Sequence, residues 1–265
     1  MQVLIGIAIA ACLAGLGYYF ANRAVFVPLK YPAGDWDMQQ VVAASDAWME
    51  TSDHVMIHGW WVERTGSPWV TLFLHGNAGN ISYRTPHIQQ IVAAGSSVLM
   101  LDYRGYGKSS GRPTEQGLYR DSEAGFIYLL GKGYRAEQII LHGESLGTSV
   151  AIDLASRRPC LALVLEAPFT SAGDVAGTIL PFIGPLLIRS FNSVPKIRWI
   201  RVPKFFLHGD RDEVVPLRMG QALFAAAQGP KSFWLIPGAG HNNILETAGA
   251  EYHERLQTFY QSLRH

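Results

Sequence analysis

The chain has 265 residues, enough for one large α/β domain with a substantial buried core. A formal net charge of +1 excludes the strongly basic field on which nucleic-acid binding depends, so nucleic acid is not an expected partner. The two cysteines, Cys12 and Cys160, exclude a disulfide framework, and no Cys/His cluster has zinc spacing, so no metal or cofactor is expected.

The first candidate element is "VLIGIAIAACLAGLGYYFA" at residues 3–21, which carries no charge. A bilayer-spanning helix needs about 20 such residues. Tyr18, Tyr19 and Phe20 stand at its C-terminal end, where aromatic rings favour the headgroup layer. Arg23 and Lys30 follow, and by the positive-inside rule they favour a cytoplasmic domain. The expected organisation is a transmembrane or signal-anchor helix at residues 1–24 and a single-pass, membrane-anchored catalytic domain at 25–265. The alternatives are a removed signal peptide, a lipoprotein leader processed at Cys12, and a helix buried in the fold.

Next comes "FVPLKYPAGDWD" (26–37), a Pro-, Gly- and aromatic-rich linker expected to dock onto the domain. Residues 54–63 alternate partially, as a strand does. Then "WVTLFLHG" (69–76), "SVLMLDY" (97–103), "QIILHG" (138–143), "LALVLEA" (161–167), "KFFLHGD" (204–210) and "SFWLIPG" (232–238) repeat one form. Each is short, apolar and closed by a turn residue, as strands buried on both faces of a parallel sheet are. Helical patterns at 83–94, 114–130, 146–157, 216–227 and 248–263 alternate with them. This alternation predicts a mostly parallel central sheet with helices on both faces. Sites in such sheets form at the C-terminal ends of strands.

The run at 138–143 leads into Gly143-Glu144-Ser145-Leu146-Gly147 and then a helix. This is G-x-S-x-G in its required context, a strand-to-helix elbow presenting a nucleophilic serine. The glycines leave room for a turn at which side chains two positions either side would collide. Glu144, a neighbour on a tight turn, is expected to point away from the chemistry. A serine hydroxyl needs a base. Asp212 and His241 follow later strands in the order Ser, Asp, His. Asp210 and Glu213 compete with Asp212 for the acid role. Two oxyanion donors are required. One is the N–H of Leu146; the other is the N–H of Asn77 in "HGNAGN", with Ala78 as the alternative.

Other motifs are discounted. "GYGKSSG" (105–111) lacks the leading glycine of a phosphate loop, and Arg104 and Lys108 are expected to brace or solvate that turn. His75, His142 and His208 close strands beside glycines and are read as structural hydrogen-bonding groups rather than metal ligands. Residues between Phe169 and Arg201 form a short cap in which Ile179, Leu180, Phe182, Ile183, Leu186 and Leu187 are apolar. Phe169 and Ile183 are the candidate acyl-binding residues; facing a membrane and ordinary packing on the sheet are the alternatives for the apolar cap.

The segments "FLHGNAGN", "LDYRGYGKSSG", "LHGESLGTSVAIDLA", "EAPFTS", "IRVPKFFLHGDRDEVVP" and "IPGAGHNN" together resemble the Bem46-like group of the α/β-hydrolase superfamily, which includes the α/β-hydrolase domain-containing 13 and 17 types. The resemblance covers the chain after about Val25. It implies the α/β-hydrolase fold, Ser145 as nucleophile, Asp212 as acid and His241 as base. It also implies a small-molecule or lipid acyl ester or thioester as substrate. Amide hydrolysis, acyl transfer to an alcohol and a non-catalytic membrane scaffold are the alternatives.

Overall fold

The computed structural model of the protein describes residues 25–263. The expected anchor at residues 1–24 lies outside the described residues. Among the described residues, no helix is long and apolar enough to cross a membrane.

The centre is an eight-stranded sheet. Its strands are β2 (Ser45–Glu50), β3 (Met56–Val62), β4 (Val70–Leu74), β6 (Ser97–Leu101), β7 (Ile139–Glu144), β8 (Ala162–Glu166), β9 (Lys204–Gly209) and β10 (Lys231–Ile236). Two short strands, β1 (Val27–Pro28) and β5 (Ala78–Gly79), pair separately and in parallel. The order in the large sheet is β10-β9-β8-β7-β4-β6-β3-β2. From β10 to β6 every pairing is parallel, and β3 runs antiparallel to both β6 and β2.

Every residue of β4, β6 and β8 is buried, as the unbroken apolar runs predicted. Alternate residues feed two separate cores, one on each face. Leu72, Leu99 and Leu141 enter one, and Phe73, Met100 and Ile140 enter the other. That is the two-residue period of a strand expressed as two packed layers. Helices α2 (Thr85–Ala93), α3 (Glu115–Gly131), α4 (Leu146–Arg157) and α8 (Leu217–Ala226) match the predicted periodic segments to within about two residues.

Differences from the sequence expectations have local causes. Strand β2 is an edge strand whose burial alternates and whose composition, SDAWME, is half polar, so no apolar run marks it. The helix predicted over 248–263 is α10 (Ala250–Gln261), and Gly249, at φ 55°, separates it from a short helix the sequence did not mark, α9 (Ile244–Ala248). The expected linker does dock: Val27 and Leu29 N–H groups bond the carbonyls of Asn77 and Gly79 at 3.0 Å each. The cap holds three short helices, α5 (Ala172–Ile179), α6 (Gly184–Leu187) and α7 (Val194–Ile197). A further helical turn, α1 (Met38–Val41), precedes β2.

At the start of β9, fully buried Lys204 donates from Nζ to the carbonyls of Ile200, Val202 and Gln228 at 2.7, 2.8 and 2.7 Å. Burial pulls its pKa down to about 8. The ammonium closes three carbonyls at the sheet edge opposite the strand C-termini. Lys204→Met removes all three donors at once. It is expected to destabilise the fold by about 3 kcal/mol in urea unfolding, since each unsatisfied buried acceptor costs about 1–3 kcal/mol. A change within about 0.5 kcal/mol would contradict this account.

Candidate active site

Strand β7 ends at Glu144 and α4 begins at Leu146, so the whole reversal falls on Ser145. Ser145 takes φ 49° and ψ −114°, a region that side-chain-bearing residues rarely occupy. The strain is held by surrounding bonds. Ser145 N–H donates to the Glu166 carbonyl at 2.8 Å, and its own carbonyl accepts from Thr148 N–H at 2.9 Å and Thr148 Oγ1 at 2.6 Å. A side chain at Gly143 would meet the backbone of Gly147 and Thr148, and one at Gly147 would overlap the Leu74 carbonyl. The two glycines are therefore a steric requirement of the elbow.

Three side chains from three strand ends converge here. His241, in the loop after β10, brings Nε2 to 3.0 Å from Ser145 Oγ. Its Nδ1 lies 2.8 Å from Asp212 Oδ2, in the loop after β9. Asp212 Oδ1 accepts the N–H groups of Val214 at 3.0 Å and Val215 at 2.7 Å. The competing Asp210 instead receives the Gly238 N–H at 2.6 Å and closes the neighbouring loop. His208, read from sequence as a structural histidine, is fully buried and donates to the Val215 carbonyl at 2.8 Å. That leaves its Nε2 3.4 Å from Asp212 Oδ2, a second support for the carboxylate.

Electrostatics follow from these contacts. Burial pushes the Asp212 pKa up, but bonds from His208 and His241 outweigh it and hold the carboxyl well below the usual range. Burial pushes His241 down, yet the Asp212 hydrogen bond and charge, with Glu144 and Glu166 beyond, raise it above the ordinary imidazole value. Glu166 is itself ionised and buried. Tyr252 Oη donates to it at 2.7 Å and His87 Nε2 lies at 3.3 Å, and these partners and His142 offset the cost of burial. The sequence offered no sign of this role, because Glu166 reads simply as the last residue of an apolar run.

The predicted oxyanion residues come from two different elements. Leu146 is the first residue of α4, and Asn77 belongs to the loop after β4. Among the described residues, neither backbone N–H has a hydrogen-bond acceptor. The Asn77 loop is tied from both sides: its carbonyl accepts from Val27 N–H and from Tyr106 Oη at 2.8 Å, and its side-chain amide donates to Val25 O at 3.1 Å. Glu144 hydrogen-bonds neither Ser145 nor His241: its Oε2 takes Arg84 Nε at 2.6 Å and the Gly76 N–H at 3.4 Å. Arg84 also reaches the Ala78 carbonyl at 3.3 Å, so this ion pair straps the elbow to the Asn77 loop.

Beside His241 lies a cavity of about 480 Å³ whose walls include Tyr83, Arg84, His87, Glu144, Ile244 and Leu245. Neither Phe169 nor Ile183 lines it. Phe169 is buried in the core on the α4 face, and Ile183 stands exposed at the tip of the cap. Arg104 braces its loop as expected, bonding Asp121 at 2.9 Å and Asp53 in a two-pronged pair at 2.8 and 2.9 Å. Lys108 contacts Asp46 at 3.5 Å and lies over the Trp36 ring.

An eight-stranded sheet of this order, with a serine elbow after its fifth strand in chain sequence, defines an α/β hydrolase. The solved structures agree. An esterase of Pyrococcus furiosus superposes with a TM-score of 0.74 over 90% of this chain and 98% of its own, at 24% identity. An α/β hydrolase of Vibrio vulnificus gives 0.71 over 95% and 93%, at 20% identity. The family model described as serine aminopeptidase, S33 matches residues 67–198. A protein of Mycobacterium tuberculosis is 39% identical over 206 residues, 76% of this chain and 73% of its own. The α/β hydrolase domain-containing protein WAV2 of Arabidopsis thaliana is 32% identical over 88% and 85%. The human α/β hydrolase domain-containing protein 17B is 37% identical over 71% and 65%. The chain belongs to this family of α/β-hydrolase domain-containing proteins.

The raised His241 pKa has a direct check. Removing a nearby negative charge removes stabilisation of the imidazolium, so the pKa must fall. Histidine NMR titration is expected to show a lower His241 pKa in Glu144→Gln and a larger drop in Asp212→Asn. An unmoved value in Asp212→Asn would mean that the pair is not formed in solution.

Proposed function

We propose that the protein is a serine hydrolase that cleaves carboxylic esters or thioesters through an acyl-serine intermediate. The observation that carries this reading is the unbroken relay from Asp212 Oδ2 through His241 to Ser145 Oγ, at 2.8 and 3.0 Å. His241 takes the serine proton as Oγ attacks the acyl carbonyl. Asp212 fixes the imidazole with Nε2 free of its proton and stabilises the imidazolium that forms. The N–H groups of Leu146 and Asn77 receive the oxyanion. Collapse expels the leaving group, protonated by His241. Water, deprotonated by the same imidazole, then releases the acid. Every proton is carried by the protein, and no metal or cofactor enters the scheme.

The substrate is a small-molecule or lipid-like acyl ester. Residues 3–21 hold the domain on the cytoplasmic side of a membrane, with the catalytic domain at 25–265. The free N–H groups and the relay serve amides by the same steps, and the matched model's peptidase description keeps that reading in view. Turnover of matched ester, thioester and amide panels separates the two.

Ser145→Ala is expected to lose about four to six orders of magnitude in kcat and all labelling by a fluorophosphonate. Equal labelling of the variant would sink the assignment. His241 must be neutral to act, so kcat/KM falls as pH drops through its raised pKa. Asp212→Asn should move that acid limb to lower pH while reducing kcat by about 10⁴. A limb that stays in place would place the titrating base elsewhere.

A further inference from the structure

The cap carries a feature that the hydrolytic site does not use. Helices α5 and α6 form a hairpin that closes on small residues. A side chain at Gly184 would overlap the backbone of Ala176 and Gly177, and one at Gly173 would overlap the Ile188 carbonyl. Close backbone contact leaves the large side chains no place between the helices. Ile179, Leu180, Phe182, Ile183 and Leu186 are each more than half exposed, and Phe182 reaches 88%. Phe182 also takes φ 66°. One residue thus bears both a strained backbone and an uncovered aromatic ring, two costs with no compensating contact among the described residues. Trp199, in the same cap segment, is 78% exposed.

Charge and tether position identify what covers this tip. Between Asp174 and Asp210 the sequence has no acidic residue, while Arg189, Lys196, Arg198, Arg201 and Lys204 all fall in that interval. Lys204 is buried and Lys196 is paired with Asp153 at 2.7 Å, which leaves the arginines for the surface. The apolar N-terminal segment joins the fold at the same place. The Val25 carbonyl accepts from Asn77, and Phe26 packs edge-on against Phe191 of the cap at 6.0 Å. Val25, the first described residue, therefore lies beside the Asn77 loop and the cap.

We propose that the α5–α6 tip is a membrane-docking surface, in which the apolar side chains enter the acyl layer of a bilayer and the cap arginines meet anionic headgroups. It rests on the membrane tether of the proposed function. Apolar side chains seated below a basic rim are the composition of interfacial anchors. Tether and tip together fix the active-site edge toward the lipid, so acyl groups embedded in the bilayer reach Ser145 without crossing water.

The test uses the full chain in vesicles and does not read catalysis, so its outcome is separate from that of the hydrolase reading. In a Cys12→Ser background the remaining cysteine, Cys160, is buried and unreactive. Phe182→Cys, Leu186→Cys and, on the opposite sheet edge, Thr65→Cys are each labelled with an environment-sensitive fluorophore. Vesicles contain phosphatidylcholine with brominated acyl chains, with and without phosphatidylserine. Expected are flotation with vesicles, quenching at 182 and 186 but not at 65, and stronger quenching with phosphatidylserine that Arg189→Glu with Arg198→Glu abolishes. Flotation with equal, unquenched emission at all three positions overturns docking and leaves the tether. No flotation overturns both. Energy transfer between labels on separate copies, or crosslinking of position 182 to residues 3–21 without lipid, assigns the tip to another occupant and also overturns it.

Discussion

The structure depends on one reversal, at Ser145. A buried parallel strand must stop, expose a hydroxyl and start a helix within a single residue. The backbone accomplishes this only at φ 49°, and only because positions 143 and 147 have no side chains. The strain is local, but the restraint is not. Its N–H is held by β8 through the Glu166 carbonyl, and the turn sits against the Leu74 carbonyl of β4. Two neighbouring strands on either side of β7 therefore keep the elbow closed.

The same economy extends outward. The loop after β4 supplies Asn77 and is fixed by groups remote in sequence: Val27 and Val25 before the sheet, Tyr106 after β6, and the Arg84–Glu144 pair. The charges that set the Ser145 environment are likewise buried and paired rather than solvated. Asp212 rests on His208 and His241, and Glu166 on Tyr252 and His87. Burial alone would neutralise these carboxyls; their partners keep them ionised. Two such negative charges near His241 favour its protonated form.

Legibility in the sequence followed hydrophobic period and turn chemistry. Strands β4, β6, β7, β8 and β9 announced themselves because both faces are almost wholly buried, and β10, although an edge strand, because its apolar run Phe233–Ile236 ends in a Pro-Gly turn. Strand β2 did not, because an edge strand with one covered face carries the mixed sequence SDAWME. Helix α9 was hidden because five residues are too few to show a helical period. Of the site residues, Ser145, Asp212 and His241 were readable because each follows an apolar run in a loop. Glu166 and Arg84 were not, since each looks like an ordinary end or flank of an element, whereas His208 was legible as a structural hydrogen-bonding group but not as a neighbour of Asp212.

By itself, then, the sequence determined the sheet, the elbow and the order in which a serine, an aspartate and a histidine reach its C-terminal edge. Periodicity and glycine placement are local properties, and they suffice for that. Only the tertiary structure decided which carboxylate meets His241, that Glu144 pairs with Arg84, and that the cap presents Phe182 and Trp199 outward while it buries Phe191. Those outcomes depend on distances between residues far apart in the chain, as between Ser145 and His241 or Glu144 and Arg84. Such distances exist only once the strands have been brought into register.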